Sequence, residues 1–309
     1  MKNFRLLTSL VLAAAAFTYS YAQDAAATPS PAAADLKSLV AKISAKIRTG
    51  VRTATALAPE LAEFEALLTK YPDRKNDDVA QIALMRALLY AQVFNDEATA
   101  RTLLLNLKKD FPTTAPAANV DRAIESFERA AAAKAKVTHL VGSLAPALHF
   151  NWSSRTGLKA LADLKGQVVV LDFWATWCGP CISSFPQIRE HVAHFKDVPV
   201  TFLGVTSVQG FVANLEPGRI DTKDDPAREM SLMPAFMKAK EMTWDVVFSE
   251  EKVFNPDYGI EGIPFIAIIA PDGTVRHAGI NPHDPRADLT TKITEILKEF
   301  KLAVPPAKS

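Results

Sequence analysis

Residues 168–181 read Val168-Val169-Val170-Leu171-Asp172-Phe173-Trp174-Ala175-Thr176-Trp177-Cys178-Gly179-Pro180-Cys181. Val168 to Leu171 is apolar at every position, the pattern of a central strand covered on both faces. The segment Gly179–Phe195 that follows reads as a helix. A strand feeding a Cys-x-x-Cys at the start of a helix is the setting in which such a pair is redox-active. Cys178 falls at the helix N-terminus, where unpaired N–H groups and the positive end of the dipole stabilise a thiolate, so it is the expected attacking sulfur. Cys181, one turn further in and facing the interior, is expected to resolve the mixed disulfide.

Two other readings of the pair compete with redox chemistry. Cys178 and Cys181 are the only two cysteines in 309 residues, so they can build neither a disulfide framework nor a four-cysteine zinc site. Zinc would need His191 and His194 as well, but one helix would then supply all four ligands over about four turns, and the two pairs cannot converge. A structural staple is the other alternative, but a ring of four residues constrains little of the unfolded chain.

Outward from the motif, β-rich runs at Gln167–Phe173, Val198–Thr206, Trp244–Phe248, Pro264–Ala270 and Thr274–Ala278 alternate with helices expected at Gly179–Phe195, Asp225–Glu241 and Asp284–Phe300. Pro271-Asp272-Gly273 reads as a turn between two antiparallel strands. The alternation indicates an α/β architecture. Upstream the period is helical. Stripes such as Leu36, Leu39, Val40, Ile43 and Ile47, with breaks at Pro59, Tyr71-Pro72, Phe94-Asn95 and Phe111-Pro112, give about five helices between Asp35 and Lys136. The pair Val79–Phe94 and Glu97–Asp110 resembles a single tetratricopeptide-like hairpin, of which there is one copy. An ordinary bundle and a protein-docking surface both fit that pattern.

Lys2 and Arg5 precede an apolar run from Leu6 to Phe17 that ends in Ser20-Tyr21-Ala22, the pattern of a signal peptide cleaved after Ala22. An uncleaved anchor is the alternative. Asp24 to Ala34 is rich in Ala, Pro, Thr and Ser and reads as a disordered tether. The expected organisation is therefore a signal peptide over 1–22, a linker over 23–35, an all-α domain over 36–136, an α/β domain over 137–302 and a tail over 303–309. Cut after Ala22, the chain carries 33 basic against 34 acidic side chains, which gives no electrostatic case for nucleic acid or an anionic membrane. With 49% hydrophobic residues it is not a disordered chain.

The stretch Leu171–Cys181, Pro186 five residues on, and Tyr258-Gly259-Ile260-Glu261-Gly262-Ile263-Pro264 resemble the thioredoxin superfamily. Gly142–Phe150 and Leu161–Gly166 resemble its extracytoplasmic TlpA/ResA-like thiol-disulfide oxidoreductases. The likeness spans about Gly142 to Phe300 and leaves the helical region outside it. It implies a thioredoxin-like fold, a mixed sheet flanked by helices. It also implies a cis bond before Pro264, with Ile263 offering backbone hydrogen bonds to a bound substrate chain. A trans, strand-initiating proline is the alternative. Trp177, Gly179 and Pro180 join Ile263 and Pro264 as candidate substrate-binding residues, and Trp174 and Trp177 are expected to shield the disulfide.

Asp172 sits inside an apolar strand, where desolvation raises a carboxyl pKa toward neutrality, so it could move protons to and from Cys181. Thioredoxins have an Asp at this position. The ResA-like branch often has Asn there and a Glu three residues after the second cysteine, where this chain has Ser184. A structural ion pair is the other reading of Asp172. Ser207–Asp225, 19 residues long, is a candidate specificity loop, and His191, His194, His277 and His283 read as surface or satisfied histidines.

The expected function is reduction of protein disulfides in the periplasm, in soluble form, with an upstream thiol protein as electron donor and, on the docking reading of the helical domain, a protein partner there. No metal or organic cofactor is implied beyond the Cys178–Cys181 disulfide itself. The rivals are an oxidase or isomerase of the same fold, a binding protein working through its helical domain, and a thiol peroxidase. The last is disfavoured by Gly-Pro-Cys after Cys178.

Overall fold

The structure is a computed structural model and describes residues 29–284 and 287–306. The expected signal peptide and residues 23–28 of the tether lie outside the described residues. The chain divides into two compact units between Glu128 and Arg129.

The first unit is helical: α1 (Pro31–Arg48), α2 (Ala58–Lys70), α3 (Asp77–Gln92), α4 (Glu97–Asp110), a single turn α5 (Ala115–Ala118), and the start of α6 (Val120–Leu140). Pro59, one of the expected breaks, opens the helix that follows the break, and Pro31 opens a helix within the stretch read as a tether, because proline needs no N–H in a first turn. Pro59 occupies the first turn of α2, and Pro31 the first turn of α1, where the Ser30 side chain accepts from Ala33 N–H. That cap corrects the tether, whose last residues, Pro31–Asp35, are helical. The stripes meet as expected: Leu36, Leu39 and Ile43 pack with Phe64, Ile82, Leu104 and Leu107 in one core. Asn95, at φ 54°, makes the sharp turn between α3 and α4.

The second unit begins within α6. It takes in residues from Arg129 on, earlier than the 137 read from periodicity. The reason is packing that the helical period cannot reveal. Val137 and Leu140 of α6 join the core beneath the sheet, and Gly259, at φ 68°, passes so close that an added Cβ would lie 2.8 Å from the Ala133 carbonyl oxygen.

That sheet has six strands: β1 (Phe150–Ser153), β2 (Val168–Phe173), β3 (Val200–Thr206), β6 (Asp245–Ser249), β7 (Phe265–Ile269) and β8 (Val275–Ile280). Their order is β1-β6-β3-β2-β7-β8, with β2, β3 and β6 mutually parallel and β1, β7 and β8 antiparallel to their neighbours. A separate two-stranded ribbon joins β4 (Phe211–Ala213) and β5 (Arg219–Asp221). The flanking helices are α7 (Gly179–Phe195), α8 (Pro226–Ala239) and α9 (Leu289–Glu299). This is the thioredoxin-like mixed sheet the motif implied. The edge strand β1 and the ribbon escape the sequence reading because each is three or four residues long, too short for a two-residue period to register.

Strand β2 is central and every residue in it is buried. Its side chains alternate. Val168 and Val170 face the core that holds Cys178, Cys181, Phe185, Phe236 and Ile293, while Val169, Leu171 and Phe173 face the core that holds Leu148, Leu161 and Tyr258. Asp172 continues the first series and therefore points to the cysteine side.

Candidate active site

Cys178 is the N-cap of α7, and its Sγ accepts from the Cys181 backbone N–H at 3.2 Å. The two cysteines are joined as a disulfide. Cys178 is 3% exposed and Cys181 not at all. Ser184, in the position where the resembling branch has a carboxylate, is buried and donates its hydroxyl to the Cys181 carbonyl at 2.7 Å.

The loop before β7 brings the second part of the motif to the first. The Ile263–Pro264 peptide bond is cis, and the Ile263 carbonyl oxygen lies 3.8 Å from Cys178 Sγ. Around the sulfur, Trp177, Gly179 and Pro180 are exposed, and Ile263 and Pro264 are half-buried.

Trp174 and Trp177 divide the shielding role expected of both. Trp174 is fully buried against Phe185 and Phe236. Trp177 is 37% exposed and stacks on Phe254, itself 40% exposed, with ring centroids 6.2 Å apart. Its indole N–H donates to Gln209 Oε1 at 3.0 Å.

Gln209 opens the long connection between β3 and α8, which is an anchored ribbon. The buried Glu229 carboxylate accepts from the Gln209 and Gly210 backbone N–H groups, both at 2.8 Å, and from Thr222 Oγ1 at 2.9 Å. The far side is tied to the motif: Ala213 N–H donates to Thr176 Oγ1, and Asn214 Nδ2 to the Thr176 carbonyl. Glu229 was not legible in the sequence, because an acid in the first turn of a helix is an ordinary complement to the helix dipole and carries no local sign of burial. Glu229→Ala leaves three donors without their acceptor, and we expect a loss of about 2–3 kcal/mol. Hydrogen exchange at the Gln209 and Gly210 amides would check it, and unchanged protection there would contradict the anchoring role.

Asp172 is 2% exposed. Among the described residues neither of its carboxylate oxygens has a hydrogen-bond partner, and the same holds for the buried indole N–H groups of Trp174 and Trp244. Burial therefore pushes the Asp172 carboxyl up to about 7. The ion-pair reading of this residue finds no support in that environment. Its partner across the parallel pair is Gly204, where an added Cβ would lie 2.9 Å from Trp174 Nε1 and 3.1 Å from Trp244 Nε1. Both indoles pack edge-on against Phe185, so neither has room to retreat. Gly204→Ala should cost about 1–3 kcal/mol by overpacking, and thermal unfolding of the oxidised chain would measure it; a wild-type midpoint would mean the indoles yield.

Of the four histidines read as surface or satisfied, His191 is buried with Nδ1 3.2 Å from Thr290 Oγ1, and His194 packs edge-on to Phe195. His277 is half-buried on β8. His283 reaches back to the motif, with Nε2 2.7 Å from the Pro180 carbonyl oxygen.

Residues 140–293 match the family model described as Redoxin. This part of the chain is a redoxin domain of the thioredoxin superfamily. Among its curated relatives is the thiol-disulfide oxidoreductase ResA of Bacillus subtilis, 29% identical over 115 residues, which cover 37% of this chain and 54% of ResA. The chain thus spans about half the length of that relative. A thioredoxin-like protein of the same organism, YneN, is 26% identical over 134 residues, covering 42% of this chain and 68% of YneN. Among solved structures, the thioredoxin domain of a thiol-disulfide oxidoreductase from Bacteroides vulgatus aligns over 52% of this chain and 96% of its own, at 20% identity and a TM-score of 0.36. The redoxin domain holds both cysteines, Asp172, Pro264 and His283, and the helical unit lies before it. Among the described residues no helix is long and apolar enough to cross a membrane.

Proposed function

We propose that this chain is a thiol-disulfide oxidoreductase that reduces protein disulfides outside the cytoplasm through the Cys178/Cys181 dithiol. The observation that carries the reading is the cystine closed at the N-cap of α7, with Cys178 Sγ beside the Ile263 carbonyl. In the reduced form the Cys178 thiolate attacks one sulfur of a client disulfide. A bond forms between the two sulfurs and the other client sulfur leaves as a thiolate. Cys181, its proton taken by Asp172, then attacks Cys178 Sγ, closes the disulfide present in the structure, and releases the second client thiolate. Two electrons pass from the dithiol to the client, and an upstream thiol protein restores them.

Ile263 and Pro264 form one wall for the client backbone, and Trp177, Gly179 and Pro180 form the other. The exposed rings of Trp177 and Phe254 favour a polypeptide client over a small thiol, since a flat apolar rim next to the sulfur rewards burial by a larger partner. The charged-then-apolar segment ending at Ala22 and the likeness to ResA support secretion to the periplasm, and N-terminal sequencing of the protein from that compartment should begin at Gln23.

The reading is tested by mixing the reduced full-length chain with insulin and by measuring its reduction potential. Insulin should precipitate faster than with dithiothreitol alone, and the potential should lie near thioredoxin's value of about −270 mV. A chain that leaves insulin intact is not a disulfide reductase. A potential close to the strong oxidants, about −120 mV, reverses the direction to oxidation.

A further inference from the structure

His283 stands on the loop between β8 and α9, 103 positions from the proline it touches. The loop is shaped locally: the His283 backbone N–H donates to Asn281 Oδ1 at 2.9 Å, and the ring is half-buried against the first turn of α7. Its Nε2 lies 2.7 Å from the Pro180 carbonyl oxygen. A carbonyl only accepts, so Nε2 carries the proton and donates. Ser183 Oγ donates to the same oxygen at 2.8 Å and lies 3.4 Å from Nε2.

The oxygen that receives these bonds belongs to the peptide group whose other end is the Cys181 N–H, and that N–H donates to Cys178 Sγ at 3.2 Å. The order is therefore imidazole N–H, then carbonyl oxygen, then amide N–H, then sulfur. Hydrogen bonds in series polarise one another, by roughly 10–30% per bond. A donor on the oxygen draws charge from the amide and leaves its N–H a stronger donor. What that N–H faces is the sulfur that must carry negative charge before attack. The two ends of one peptide thus couple a loop far along the chain to the reacting atom.

We propose that His283 is a positioning residue for the dithiol, which acts through the Pro180–Cys181 peptide to stabilise the thiolate of Cys178. The role rests on the reading of Cys178 as the attacking sulfur. His283 touches neither sulfur nor client. Because it favours the thiolate, it favours the reduced pair, and the exchange of two electrons with a client otherwise proceeds as described above. The same contact holds the Gly179-Pro180 turn in place, which the glutamine variant separates from the electronic effect, since its amide also supplies an N–H donor.

The test uses full-length protein equilibrated with reduced and oxidised glutathione at neutral pH, with the alkylated sulfur identified by peptide mass. In the wild type, Cys178 should alkylate faster than Cys181. His283→Ala should shift the equilibrium about 3- to 10-fold toward the Cys178–Cys181 disulfide, tenfold being about 30 mV for a two-electron couple, and His283→Gln should recover at least half of that shift. An unchanged equilibrium in His283→Ala, with Cys178 still the faster sulfur, overturns the role of His283 and leaves the dithiol assignment standing. An equal shift in both variants also overturns it, since a lost side chain and not a lost donor would then be the cause. Faster alkylation of Cys181 in the wild type overturns the assignment of the attacking sulfur, and this inference with it.

Discussion

Cys181→Ser, reduced and mixed with a cystine-containing client, should accumulate a mixed disulfide through Cys178, whereas Cys178→Ser should accumulate at least about tenfold less. The asymmetry follows from where α7 begins. Cys178 is the cap residue, so the free N–H groups of the first turn and the dipole's positive end act on its sulfur, an effect strong enough to bring thiol pKa values down into the range of about 3.5–7.5. The Cys181 N–H that reaches Cys178 Sγ is a backbone group and survives the serine substitution. Cys181 has no solvent exposure and lies inside the core with Phe185 and Ile188, where an apolar setting keeps a thiol protonated and a client cannot reach it. Removing it stops resolution and leaves attack intact. Nonreducing gels of trapped material, followed by peptide mapping, would read the result. Equal adducts on both variants would mean that the sulfurs are interchangeable and that the helix terminus does not select between them.

Asp172→Asn should abolish most of the pH dependence of this domain's stability between about pH 4 and pH 7. Burial raises the folded carboxyl to about 7 from 3.8, so in that window the folded chain holds a proton that the unfolded chain has released. The sign is therefore opposite to that of a salt-bridged acid. Below about pH 4 both states are protonated and the residue costs nothing through ionisation. As pH rises toward 7 the wild type loses stability, and above it the loss levels off at roughly 4 kcal/mol. The variant should lack that decline and be the more stable protein at pH 8, since no charge has to be buried. The same substitution removes the group assigned to take the Cys181 proton, so resolution of the mixed disulfide should slow by about 10²–10⁴-fold while attack by Cys178 is nearly unchanged. Urea unfolding across pH, together with single-turnover release of client, separates the two effects. A wild type with flat stability from pH 4 to 8 would contradict the buried-carboxyl assignment. An unchanged resolution rate in Asp172→Asn would contradict its proton role.

How far these residues could be read beforehand varies with the range of the forces that place them. The all-apolar Val168–Leu171, the helix at Gly179–Phe195 and the cap at Cys178 were legible because each depends on neighbours within one strand or one helical turn. Asp172 was legible as a perturbed acid for the same reason: its burial follows from the strand around it. Ser30 and Pro31 could have moved the start of α1, since a serine cap followed by proline is a local signal, here hidden in a stretch read by composition.

His283 and Glu229 could not be reached this way. Each is an ordinary polar residue in its own neighbourhood, and each acquires its partners from segments distant in sequence: Pro180 for the one, the turn at Gln209 and Gly210 for the other. The place of Arg129–Lys136 in the second unit is of the same kind, because a helical stripe states that a face is apolar and not which core will cover it. Short-range sterics, capping and hydrophobic period suffice for the strand, the redox motif and its polarity. Which carbonyl a loop histidine meets, and which core closes over a helix, depend on sheet order and chain crossing, where contacts form between residues that no local pattern relates.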